Sequence, residues 1–281
     1  MGWLSSVILP VLTILYGLLL AGGALFFFKK AISHQVLYYL TLVTGFAHTL
    51  YIGSYTVSTG HCLLTTASEI FSLIAFTLLI TYIIVELRPT SSSSGTGMVV
   101  ALVAFLFQLI SAIGVGNKSV AGINPIFLEP SFNIHVTSAV FGYAALTLST
   151  IYGSLYLLLY RAMKKNSFGP IFNELPSLSW LERYGLRALF AGFIFLSISI
   201  LFGFLLIQKN FSSIEASQYL SDPKTIATGL IWLIFGTTLL LRKLIHIDGR
   251  KLVLFWMSGY LLTLISMTIV NAFVTEYHRF L

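Results

Sequence analysis

Residues 186–208 read LRALFAGFIFLSISILFGFLLIQ, and from Ala188 to Gln208 no side chain is charged. A helix rises about 1.5 Å per residue, so roughly 20 such residues cross about 30 Å of hydrocarbon. Apolar runs of spanning length recur near 6–28, 35–57, 67–87, 97–116, 132–160, 225–242 and 253–275. Together they predict an all-α integral membrane protein of about eight transmembrane helices, forming one polytopic domain over residues 1–281. Composition agrees, because 57% of residues are hydrophobic and 9% charged, too few charges to cover a water-soluble surface.

The net charge of +7 does not indicate nucleic acid, because the basic residues lie in short loops between apolar runs rather than on one clustered face. They report topology instead. With the N-terminus outside, twelve of the 16 lysines and arginines fall in inner loops, leaving Lys118, Lys209, Lys224 and Arg279 outside. This asymmetry predicts that both termini lie on the outer, periplasmic or extracellular side. The first run begins directly after Met1-Gly2-Trp3 and ends at Lys29-Lys30, the wrong polarity for a cleaved signal peptide, so it is expected to be retained as a helix.

Punctuation between the runs is consistent with these spans. Arg88-Pro89 and the Ser/Gly stretch 91–97 predict a flexible inner loop, and His246-Ile247-Asp248-Gly249 a tight inner turn. Two outer loops, 117–131 and 209–224, are longer. The second ends in Ser221-Asp222-Pro223-Lys224, a helix start with a capping Asp and Pro at the first helical position. The stretch Pro176–Arg187 spaces Leu178, Leu181 and Tyr184 on one side and is expected to lie along the inner membrane interface.

Chemistry falls to the six histidines. A lone Cys62 permits no internal disulfide, and without Cys-x-x-Cys-His the chain cannot attach haem covalently to itself. The predicted topology puts His34 and His246 inside, His61, His135 and His278 outside, and His48 within the second span. His135 and His278, from distant parts of the chain, reach the same membrane level. Two neutral imidazoles can hold a haem iron from opposite sides, whereas interfacial histidines can equally sit among headgroups. His48 reads most simply as an interhelical hydrogen-bonding group, the alternative being an iron shared with Met267 or another side chain, or left five-coordinate. Glu69, near the boundary of the third span, is expected to reach interfacial water, or else to bind a cation or tune a haem. Cys62 beside His61 has no second thiol with which to exchange.

The order of these elements resembles the cytochrome c assembly membrane proteins of the CcsA and HemX type. The fifth span opens with His135-Val136-Thr137 and continues through Gly142-Tyr143. The seventh begins Asp222-Pro223-Lys224 and runs through Trp232-Leu233-Ile234-Phe235 to Arg242. The eighth passes Gly249-Arg250-Lys251 and Gly259 and closes with Val270-Asn271 and His278. Upstream, Gly60-His61 and Glu69 are similar to the family's Gly-His and following Glu.

The resemblance implies non-covalent haem b held by His135 and His278 as axial ligands, and a role in cytochrome c biogenesis or haem delivery at the outer face. It also implies an inner haem site, for which His48 matches the first histidine while the second falls near Leu240, a residue that cannot ligate iron. The family's tryptophan-rich loop is absent, since Gln218-Tyr219-Leu220-Ser221 precedes Asp222. That departure favours the HemX-like branch over a haem lyase acting by itself, and no catalytic residue is expected. Expected partners are haem, the lipid bilayer of a bacterial cytoplasmic or thylakoid-type membrane, and a membrane subunit of an assembly system. Two other readings remain: a non-enzymatic regulator of tetrapyrrole synthesis, or a haem-bearing respiratory subunit.

Overall fold

The computed structural model describes residues 3–29, 31–59, 66–85, 94–114, 129–166, 169–245 and 249–266. Among them the chain forms ten helices and no strand: α1 (Trp3–Lys29), α2 (His34–Thr59), α3 (Ala67–Val85), α4 (Ser94–Ile113), α5 (Pro130–Lys164), α6 (Pro170–Glu174), α7 (Leu178–Asn210), α8 (Ser213–Ser221), α9 (Pro223–Ile245) and α10 (Gly249–Ile265). Each of the eight expected spans has a helical counterpart. Six helices, α1, α2, α4, α5, α7 and α9, are long and apolar enough to cross a membrane. The apolar stretch of α3, Ser68–Ile84, is shorter, and α10 runs for 17 residues, the rest of its expected span lying outside the described residues.

Two expectations about the connections change. Pro176–Arg187 is not a separate interfacial segment, because Leu178–Asn210 is one continuous helix of 33 residues. The Ser177 hydroxyl accepts the Trp180 N–H at 3.3 Å and starts the helix, and no proline interrupts it before Phe211. Leu181 then points into the core, fully buried. The stretch 209–224 is likewise not only a loop, since Ser213–Ser221 winds into α8. The start of α9 is as expected: Asp222 is buried and its Oδ1 accepts the Lys224 N–H at 2.8 Å, with Pro223 at the first helical position.

Helices α5 and α7 form the central packed pair and run antiparallel. Their backbones meet at Gly142 and Gly192, where a Cβ on Gly142 would stand 3.2 Å from Leu196 N and one on Gly192 would stand 3.2 Å from the Gly142 carbonyl. Small residues at such a crossing let dispersion act between backbones, the main attraction between helices in lipid. Further along, the fully buried Trp256 of α10 lies against Gly153 of α5 and Gly185 of α7. At the opposite end of the pair, Lys209 Nζ meets Glu129 Oε2 at 2.8 Å, tying the end of α7 to the start of α5.

Candidate functional site

His135 lies in the second turn of α5, opposite the second half of α7. Its Nδ1 is 2.7 Å from the Ser199 carbonyl oxygen and 3.2 Å from Ser199 Oγ. A carbonyl can only accept, so Nδ1 must carry the proton and donate it there. The lone pair is therefore on Nε2. This contact depends on Gly203, four residues after Ser199 and one turn along α7. A Cβ at that position would stand 2.8 Å from His135 Nδ1. Lys224, at the start of α9, lies within electrostatic range of the same imidazole.

His48 has the opposite arrangement. It is fully buried, with Nδ1 3.0 Å from the Tyr16 hydroxyl and Nε2 3.1 Å from Ser72 Oγ. Ser72 in turn donates to Gln108 Oε1 at 3.1 Å. With its own proton committed to Gln108, Ser72 accepts from Nε2–H, which leaves Nδ1 to accept from Tyr16. The result is one chain of donors through α1, α2, α3 and α4, ending at Gln108, whose Nε2 has no partner among the described residues. Both nitrogens of a neutral His48 are thus engaged within the protein, as the hydrogen-bonding reading of the sequence expects. The ring also packs edge-on to Tyr51 and against Phe76, with centroids 5.9 and 5.0 Å away.

Glu69 does not reach interfacial water. It is 7% exposed and accepts the Tyr55 hydroxyl at 2.5 Å, while the Thr66 hydroxyl takes its backbone N–H. The Tyr55 hydroxyl of α2 holds this carboxylate against α2. His61, Cys62, His246, Met267, Asn271 and His278 lie outside the described residues. Among the described residues no three His, Cys, Asp or Glu side chains converge on one point.

Residues 64–278 match the family of the cytochrome C assembly protein. The chain belongs to that family. Protein HemX of Brevibacillus brevis is 27% identical to it over 128 residues, 46% of each chain. Protein HemX of Bacillus subtilis (strain 168) is 24% identical over 147 residues, 52% of this chain and 51% of the relative. The chain thus aligns with about half the length of these two relatives.

In this family member the matched region takes in His135 and ends on His278, whereas His48 precedes it. Leu240, the position nearest the family's second inner histidine, is an exposed residue of α9. Tyr219, where the family carries tryptophans, lies in α8 with its ring 4.5 Å from that of Phe211. The sequence marks His135 as a candidate but does not mark Ser199 or Gly203. Within a uniformly apolar span, nothing local marks a carbonyl that serves a side chain 64 residues away.

Proposed function

We propose that this family member binds haem b between His135 and His278 near the outer face of the membrane and presents it during cytochrome c biogenesis or haem delivery. One observation carries the reading: the Ser199 carbonyl takes the Nδ1 proton of His135 and leaves Nε2 available. Histidines that ligate iron commonly donate their other N–H to such an acceptor, which fixes the ring and makes the ligating nitrogen more basic. The Ser199 carbonyl and hydroxyl lock the Nδ1 edge of the ring to α7.

The chain's own contribution is positioning. Ser199 and Gly203 hold the ring against α7, and α5 sets its depth. Lys224, with Asp222 as its neighbouring carboxylate, lies within electrostatic range of the same ring. Haem, when bound, would supply an iron porphyrin cargo with two carboxylates that favour the aqueous boundary. A membrane partner subunit would complete the acceptor side, since α8 lacks tryptophan.

The test is the absorption spectrum of the protein purified from cells with ample haem, alongside His135→Ala and His278→Ala. A six-coordinate Soret band is expected in the parent, with loss or a five-coordinate shift in each variant. A haem-free parent overturns the reading, and an unchanged band in both variants moves the ligands elsewhere.

A further inference from the structure

A groove of about 600 Å³ opens between the first turns of α7 and the last turns of α9, away from His135. Its polar wall is formed by Glu182, Arg183, Arg187 and Arg242, its apolar wall by Leu186, Phe190 and Leu239. Three guanidinium groups against one carboxylate leave a surplus of two positive charges. Arg183 and Arg187 are four residues apart and share one face of α7. Arg242 Nη2 lies 2.9 Å from Glu182 Oε1, an ion pair whose angle falls short of a hydrogen bond. Arg187 rests over the Tyr184 ring, 4.9 Å from its centroid, and Arg183 has no partner among the described residues.

Depth in the membrane distinguishes this groove from an ordinary basic surface. Immediately after Arg187, α7 enters the uncharged run Ala188–Gln208, so the guanidinium groups stand where hydrocarbon begins. Phe190, one turn deeper, is 56% exposed and forms the apolar floor. An ion needs only the polar wall. An amphiphile with a phosphate head and an acyl chain uses both, and basic pockets between transmembrane helices are where such heads bind. Guanidinium groups suit the head because each can offer two N–H donors to two phosphate oxygens.

We propose that this groove is a binding site for an anionic phospholipid, its phosphate held by Arg183, Arg187 and Arg242 and one acyl chain lying along Leu186, Phe190 and Leu239. Glu182 holds the Arg242 guanidinium in place and keeps the pocket from being merely cationic. The site stands independently of haem binding, since none of its residues approaches His135.

The full-length protein in detergent is titrated with dioleoyl phosphatidylglycerol and, separately, dioleoyl phosphatidylcholine, and bound lipids are counted by native mass spectrometry. A first phosphatidylglycerol is expected to bind at least about tenfold more tightly than phosphatidylcholine, and Arg183→Gln/Arg187→Gln to remove that preference. Lys209→Gln, which deletes a cation at the far end of α7, should retain it. Arg183→Lys/Arg187→Lys should bind with intermediate affinity, which shows that the fold is intact. Inorganic phosphate at millimolar concentration should leave the lipid bound. Equal affinity for the two lipids, an unchanged preference in the glutamine variant, or displacement by inorganic phosphate each overturns the proposal.

Discussion

Gly203 stands where any Cβ would come within 2.8 Å of His135 Nδ1, so its missing side chain is what allows the imidazole to reach the Ser199 carbonyl. His135 and His48 therefore differ in which nitrogen is free. His135 gives its Nδ1 proton to α7 and keeps Nε2 open, whereas His48 uses both nitrogens between Tyr16 and Ser72.

Gly203→Ala should push the His135 ring off the Ser199 carbonyl without replacing either proposed ligand. Haem affinity is expected to fall about tenfold or more, the usual effect of losing an outer partner of a ligating histidine. Haem titration of the purified protein, followed in the Soret region, measures it. An affinity equal to that of the parent would show that the Ser199 contact does not support ligation.

His48→Ala removes the middle of the chain that links α1, α2 and α3, leaving the Tyr16 and Ser72 hydroxyls short of a partner in a dry interior. A loss of about 1–2 kcal/mol is expected, seen as a lower midpoint of thermal unfolding in detergent. The haem spectrum should stay that of the parent. Loss of haem in this variant, with His135→Ala retaining it, would instead make His48 the ligand.

The end of the same chain is asymmetric. Ser72→Ala leaves the His48 N–H and Gln108 Oε1 both unanswered, whereas Gln108→Leu removes an amide nitrogen that has no partner among the described residues. A freed Ser72 hydroxyl can turn to the carbonyl of the preceding helical turn. Ser72→Ala should therefore lower the unfolding midpoint more than Gln108→Leu, a ranking that one thermal series decides.

Trp256 is fully buried against Gly153 and Gly185, where added Cβ atoms would lie 2.8 and 3.1 Å from the indole. Trp256→Ala would open a large void at the junction of α5, α7 and α10, and a cost of about 3 kcal/mol or more is expected. Gly153→Leu should destabilise by the opposite route, overfilling the same slot. Unfolding midpoints of both variants, compared with the parent, check the two signs of the packing error.

Much of this architecture could be read in the chain itself. Uninterrupted apolar runs announce helices because the bilayer leaves the backbone no other way to satisfy its polar groups. The Asp222-Pro223 start of α9 was legible for a similar reason, since a cap acts within three residues. Glu69 was not, because its burial depends on Tyr55 of another helix. Nor was the N-terminal extension of α7 to Leu178, where Leu181 finds cover only once the neighbouring helices are in place.

The sequence alone determined that eight apolar stretches begin helices and which family the ordered motifs belong to. Only the tertiary structure decided the tautomers of His135 and His48. Hydrophobicity and capping act over neighbouring residues and are written along the chain. A tautomer is set by whichever donor or acceptor a distant helix brings to the ring, here Ser199 for His135 and Tyr16 with Ser72 for His48.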